Sequence, residues 1–165
     1  MKNRKFADGP VWFDGTNINE ALFCDEFLSH RKIIFANGAF FTPDGRVTDV
    51  LPLRGEIYEE LKCCAVNNIP RKITNILEVL KLAAHVDDFP PEADRIHLTN
   101  GTLKLDGTFT EGRPEIVRSR LPVAYNTGAP VPSQWLAFLD GLLYPEDIPT
   151  LQEFIGYCLI PSNKG

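Results

Sequence analysis

The sequence predicts a mixed α+β fold, in which antiparallel β-hairpins pack with a helix pair and C-terminal helices. Two apolar segments each contain an Asn-Gly pair, Asn37-Gly38 and Asn100-Gly101. Asn-Gly tolerates the positive φ angles of a tight hairpin turn. Between these segments, residues 71–85 place apolar side chains at the spacing of one helix face. Hairpins and helices in separate blocks along the chain are typical of α+β proteins.

The first fifty residues are predicted to form an N-terminal arm, a helix and a β-hairpin, docked on the rest of the chain. Asn19 is a candidate cap for the helix, because its side chain can accept a hydrogen bond from the first turn. The turn at Pro43-Asp44-Gly45 follows the first hairpin and predicts one more strand. The predicted elements are a short strand at 11–13, a helix at 20–29, strands at 32–36 and 39–42, and a third strand at 46–50.

Residues 51–165 are predicted to form a second domain that holds the helix pair, the second hairpin and the C-terminal helices. Ser133 is a candidate N-cap, and Gly141 suits a helix end. We interpret the two Asn-Gly hairpins as convergent turn chemistry rather than an internal repeat, since their flanks differ. The predicted elements are helices at 56–67 and 71–85, a surface connection within the domain at 87–92, strands on both sides of Asn100-Gly101, a strand at 115–118, and helices at 134–139 and 150–158.

Composition limits the classes of protein that fit. The 165 residues suffice for a sizeable core, and a net charge of −5 argues against a surface given over entirely to nucleic acid. The four cysteines form no C-x-x-C pair, which predicts free thiols in a reducing cytoplasm. Cys63, Cys64 and Cys158 are predicted to be small core residues on helices. No apolar run approaches the roughly 20 residues that span a bilayer, so we expect no membrane association.

No set of residues in the sequence has the spacing of a catalytic or metal site. His30, His85 and His97 form no H-x-x-x-H pattern, so we predict no metal ligands. Most of the aspartates that could hold divalent cations fall in turns, where turn chemistry explains them. No G-x-S-x-G motif occurs, and no cysteine has a histidine nearby in sequence. We therefore predict no catalytic residues and no bound cofactor in this chain.

Nucleic-acid contact is the functional option that the residues leave open. A positive face that follows a DNA backbone would have this composition, and so would a solvated helix surface. A helix–turn–helix with a hairpin wing is a further possibility for the helix pair. The candidate nucleic-acid residues are Lys62, Arg71, Lys72 and Lys81 on the predicted helix pair, and Arg113, Arg118 and Arg120 after the second hairpin.

Four segments in a fixed order carry a resemblance to a known family. They are Asn-Gly-Thr-Leu-Lys-Leu at 100–105, Leu-Pro-Val-Ala-Tyr-Asn at 121–126, Trp-Leu-Ala-Phe-Leu at 135–139 and Leu-Gln-Glu-Phe-Ile-Gly-Tyr-Cys-Leu at 151–159. This order resembles the poxvirus-type N-terminal domain of phage and plasmid primase–helicases. Residues 56–82 are similar to the paired helices of that domain, so the resemblance covers most of residues 33–161. In that family the domain directly precedes a superfamily 3 helicase motor.

The resemblance implies a non-catalytic accessory domain used in DNA replication. Such a domain would support oligomerisation of the motor and engagement of DNA. The motor's Walker A loop, G-x-x-x-x-G-K-[ST], does not occur in this sequence. We therefore expect the chain to be the front part of a longer protein that forms a homo-oligomer, with ATP and Mg²⁺ bound only by the motor. The alternatives are a winged-helix-like module that binds an origin, and a small stand-alone enzyme.

Overall fold

A computed structural model describes residues 9–64, 67–113 and 116–159. It confirms the mixed α+β class, with helices and two three-stranded antiparallel sheets. The chain divides into two compact units, Met1–Phe89 and Pro90–Gly165. This division lies within residues 87–92, the segment predicted to be a connection inside one domain. The predicted domain boundary after residue 50 falls inside the first unit.

The described part of the first unit consists of one helix, then three short strands, then two helices. The N-cap Asn19 accepts a hydrogen bond from the amide of Leu22 at 3.1 Å, as the sequence predicts. The elements are α1 (Glu20–Ser29), β1 (Ile34–Ala36), β2 (Ala39–Thr42), β3 (Gly45–Arg46), α2 (Leu51–Leu61) and α3 (Ile69–Ala83). Residues 11–13 form a turn with an isolated bridge from Phe13 to Ile18, so the short strand predicted there was wrong.

The predicted bounds of four elements in the first unit need correction. Strand β1, predicted at 32–36, begins at Ile34. β3 is shorter than the predicted 46–50. Helix α2 begins before residue 56, because Pro52 suits a first helical turn and Asp49 accepts the Leu51 amide at 2.8 Å. It ends at Leu61 and a turn follows, while residues 65–66 of the predicted helix lie outside the described residues. Helix α3 likewise begins before residue 71, with Pro70 in its first turn.

The core of the first unit forms around α3. This helix packs against α1, α2 and β1, and its predicted apolar face is buried through Ile73, Ile76, Leu77 and Leu80. The end of α3 is fastened to β1, since the Phe35 amide donates to the Ala84 carbonyl at 2.7 Å. The rest of the core cluster comprises Trp12, Phe23, Cys24, Phe27, Phe40, Leu53, Ile57 and Leu61.

The two hairpins use the Asn-Gly pair differently. In the first, Ala36 pairs with Ala39, and Asn37 and Gly38 form the turn with φ of 49° and 75°, as the sequence predicts. In the second, the turn residues are Thr99 and Asn100, because Gly101 already pairs with Leu98. A Cβ on Gly101 would lie 2.4 Å from the Thr110 carbonyl oxygen, so this glycine permits the close approach of the next strand.

In the second unit, the residues that the structure describes form three strands and two helices. They are β4 (Arg95–Leu98), β5 (Gly101–Lys104), β6 (Phe109–Glu111), α4 (Ser133–Leu142) and α5 (Ile148–Cys158). The sequence did not predict β6. Residues 116–118 are not a strand, which corrects the prediction there, and Glu115 lies outside the described residues. Ser133 is the first residue of α4 and Pro132 its N-cap, and Gly141 lies inside the helix, so both predicted helix boundaries were wrong.

Among the described residues, no helix is both long and apolar enough to cross a membrane.

Candidate functional site

The seven predicted nucleic-acid residues belong to two groups, one in each unit. In the first unit, Arg71 is exposed at the start of α3, and Lys72 beside it is half-buried. Lys62 forms an ion pair with Glu59, which raises the pKa of the lysine. Lys81 pairs with Glu78 at 2.7 Å. Two of the four cations therefore have a carboxylate three residues before them, which lowers the net positive charge of the helix pair.

In the second unit, Arg120 has a structural contact. Its Nη1 donates to the Leu98 carbonyl at the end of β4. Arg118 is half-buried, and Arg113 is exposed in the segment after β6. At least one member of this predicted cluster therefore stabilises the hairpin rather than facing a ligand.

A polar clamp holds the segment after Arg120 against the second hairpin. The Asn100 side chain donates to the Tyr125 carbonyl and accepts from the Tyr125 amide, each at 2.8 Å. The Thr99 amide donates to the Val123 carbonyl at 2.9 Å, and the Tyr125 ring lies 4.7 Å from that of Phe109. Two of the four ordered segments behind the family resemblance, the hairpin and residues 121–126, are thus joined through Asn100.

Replacing Asn100 with alanine should destabilise the second unit by about 1–3 kcal/mol, because two partly buried backbone groups of Tyr125 lose their partner. Asn126→Ala is the matched control, since the Asn126 side chain accepts a hydrogen bond from the Gly128 amide in an exposed turn. Hydrogen exchange of the amides of Leu121 and of residues 123–125 would measure the difference. Equal exchange in both variants would show that the clamp contributes nothing.

A buried histidine lies in β4, in the sheet of the second unit. His97 is 5% exposed; its Nδ1 is 3.0 Å from the Thr102 hydroxyl, and its Nε2 contacts the Glu92 carboxylate. These partners satisfy both ring nitrogens, as a buried polar side chain requires. No group of three or more metal-ligating side chains occurs among the described residues.

The cysteines differ from their predicted roles. Cys63 and Cys158 are exposed, so their prediction as core residues was wrong, and Cys63 lies in the turn after α2. Cys64 is partly buried, and its sulfur is 3.2 Å from that of Cys63. The fully buried thiol is Cys24, which donates to the Ile76 carbonyl at 3.7 Å. Burial raises the pKa of Cys24 to about 11.

These environments predict an order of thiol reactivity. At pH 8, iodoacetamide should modify Cys63 and Cys158 in the native protein and Cys24 only after unfolding, because the thiolate is the nucleophile. Mass spectrometry of the peptides would measure the order, and rapid native labelling of Cys24 would contradict it.

Since the pKa of Cys24 is raised from 9.0 to about 11, its contribution to stability is complete below pH 9 and is lost as the pH rises towards 11.

The helices of the second unit leave most of their apolar side chains in solvent. Leu139 is the buried residue of α4, and α5 has none. Helices of 10 and 11 residues are marginal in water without tertiary packing. The large apolar side chains exposed by more than a third in residues 131–159 are Val131, Trp135, Leu136, Phe138, Leu142, Tyr144, Phe154, Ile155, Tyr157 and Leu159. We call them the apolar C-terminal surface.

The charges on this part of the chain are all of one sign. Residues 121–159 contain no lysine or arginine, and their acidic residues are Asp140, Glu146, Asp147 and Glu153. A phosphate backbone would be repelled by these carboxylates. An apolar protein surface with basic residues at its rim would complement them, since interfaces have an apolar centre and a polar rim. The apolar C-terminal surface therefore suits a protein partner.

A scan against protein-family models found no match to this chain, and a search of curated proteins found none either.

Proposed function

We propose that this chain is a non-catalytic accessory domain of a phage- or plasmid-type primase–helicase used in DNA replication. In this role it supports oligomerisation of the helicase motor and engagement of DNA. The observation that carries the proposal is the apolar C-terminal surface, on two short helices with almost no buried side chains of their own. Exposed apolar area of this kind is typical of protein interaction sites.

The order of the segments identifies the partner that we propose. Two of the four segments behind the family resemblance, 135–139 and 151–159, lie in this surface. In the resembled family the motor domain follows these segments directly. We therefore assign the surface to docking of the motor, and the all-acidic charge of residues 121–159 implies a basic rim on the motor face that receives it.

The coding sequence downstream of Gly165 tests this assignment. A reading frame that continues into a Walker A motif, G-x-x-x-x-G-K-[ST], is the expected result, because the motor needs that loop to hold the phosphates of ATP. The expected order is this domain first and the motor second in one polypeptide. A frame that continues into a domain without any Walker A motif would reject the helicase assignment.

A further inference from the structure

A cavity of about 390 Å³ opens in the first unit beside the β1–β2 hairpin. The hairpin, the segment after β3 and the helices α2 and α3 all contribute to its wall. The hydrogen bond from the Phe35 amide to the Ala84 carbonyl fastens the end of α3 to the hairpin and so fixes two sides of the cavity. Small-molecule sites commonly have volumes of roughly 300–1,000 Å³, so one nucleotide-sized group is within range.

Three cations and one carboxylate line this cavity. Arg46 comes from β3, Arg54 from α2, and Lys81 and Glu78 from α3. Lys81 is engaged by Glu78 at 2.7 Å, which leaves the charge of two arginines uncompensated by an acidic group in the lining. Two arginines supply planar, multi-donor groups that match the oxygens of a phosphate.

The two arginines are held differently. An Arg54 Nη2 donates to the Thr74 hydroxyl at 3.3 Å, and that hydroxyl donates to the Pro70 carbonyl at 3.0 Å. The Thr74 hydroxyl therefore positions one edge of the Arg54 guanidinium and leaves its other N–H groups for a ligand. Arg46 has no side-chain hydrogen bond or ion pair with the residues that the structure describes. Its donors can reach a ligand without breaking an existing contact.

The remaining wall is apolar and partly aromatic. The Phe35 and Phe40 rings meet edge to face at 4.9 Å, and Phe40 is buried while Phe35 is half-buried. Val47, Val50 and Leu77 also line this wall. An apolar wall next to two arginines suits a ligand with a flat apolar part and an anionic part, because aromatic surfaces stack on bases while arginines pair with phosphate.

Two other cavities in the same unit lack this excess of positive charge. A cavity of about 550 Å³ shares Arg46 and adds Arg31 and Lys32, but the carboxylates of Asp44, Asp49 and Glu56 also line it. A cavity of about 510 Å³ near Trp12 is lined by Asp14 and Glu20 and by no lysine or arginine. Charge and shape together therefore favour the cavity between Arg46 and Arg54.

We infer that this cavity binds a nucleoside phosphate, with Arg46 and Arg54 on the phosphate and the Phe35 side of the wall against the base or sugar. The group could be a free nucleotide or one residue of a single strand, since both present the same chemistry. This inference rests on the proposed function in one respect, because it assigns to this cavity the contact with DNA that the proposed function includes. It also moves that engagement from the predicted residues Arg71 and Lys72 to two arginines of other elements.

The test measures fluorescence anisotropy of a labelled twelve-residue oligothymidylate with the whole chain at about 20 mM salt. Arg46→Glu and Arg54→Glu should each weaken binding about tenfold or more, because a charge-assisted contact to phosphate is lost. Arg71→Glu is the matched control, since it makes the same change of net charge at an exposed position outside the cavity lining. Thermal melting checks that each variant folds, and Arg46→Ala repeats the test without reversing the charge.

Salt dependence gives a second readout. The two phosphate contacts, from Arg46 and Arg54, predict a log–log slope of about −1.4 for a single-stranded oligonucleotide, and loss of either arginine should reduce it to about −0.7. Displacement of the oligothymidylate by thymidine 5′-monophosphate would show that the site also accepts free nucleotides. No displacement would assign the site to single-stranded DNA. The inference would be overturned if the native chain did not bind the oligothymidylate, or if inorganic phosphate displaced it as well as thymidine 5′-monophosphate does. It would also be overturned if Arg71→Glu weakened binding as much as Arg46→Glu and Arg54→Glu.

The proposed function and this inference fail separately. Loss of strand binding would leave the docking role intact, because the apolar C-terminal surface belongs to the other unit. A downstream reading frame without a Walker A motif would leave the measured binding at Arg46 and Arg54 intact.

Discussion

Phe27→Ala should destabilise the first unit by about 3–5 kcal/mol, since it removes a large aromatic side chain from a site that cannot collapse freely. Phe27 is 1% exposed, and its ring stacks with that of Phe23 at a centroid distance of 5.7 Å. The Arg31 guanidinium lies 3.9 Å from the centre of the Phe27 ring. Arg31 also forms ion pairs with Glu56 and Glu60 of α2, each at 2.8 Å. The substitution therefore leaves a cavity and also weakens the link between α1 and α2.

Urea unfolding followed by far-ultraviolet circular dichroism would measure this loss. Phe138→Ala is the control, because Phe138 is 56% exposed and its truncation should change stability by about 0.5 kcal/mol or less. A loss below about 1 kcal/mol for Phe27→Ala would contradict the packing described for α1. The expected difference between two phenylalanines comes entirely from burial, which makes the comparison independent of residue type.

Replacing Phe138 and Phe154 together with glutamate should abolish most of the binding of a hydrophobic dye to the apolar C-terminal surface. Both side chains are more than half exposed, so the charges would be solvated and the fold should persist. The hydrophobic dye ANS reports such exposed apolar area. We expect the double variant to lose more than half of the dye fluorescence, with a melting temperature within about 3 °C of the native value.

A matched variant shows whether charge alone explains the result. Leu105→Glu adds one glutamate, half of the charge added by the double variant, at another apolar residue that is 54% exposed and lies outside the apolar C-terminal surface. It should leave dye binding nearly unchanged. If Leu105→Glu lowers the fluorescence as much as the double variant, or if the double variant unfolds, then the surface is not the source of the binding.

Local signals in the sequence predicted the elements whose conformation depends on neighbours in the chain. The cap at Asn19, the turn at Asn37-Gly38 and the apolar face of α3 all have local causes, and the structure confirms them. The Asn-Gly pair at Asn100 has the same local preference, yet its asparagine is used for a contact with Tyr125, 25 residues away. Long-range contacts of this kind have no signature in the turn residues.

The candidate site was less predictable for the same reason. Lysines and arginines could be counted along the helix pair, and the Glu59–Lys62 and Glu78–Lys81 spacings that offset two of them were also present in the sequence. The partnership of Arg46 with Arg54 depends on how β3 and α2 are placed, which spacing does not reveal. The exposure of α4 and α5 is likewise a property of packing, since their apolar residues resemble those of a buried helix.

The most direct measurement of the proposed docking is hydrogen exchange of this chain alone and of the longer polypeptide that we propose, in which a helicase motor follows it. We expect amides of α4 and α5 to exchange rapidly in the chain alone and to become protected when the motor is present. Amides of α1 and α3 should exchange alike in both, because their side chains already form a core. Equal exchange of α4 and α5 in the two proteins would contradict the assignment of the apolar C-terminal surface to the motor.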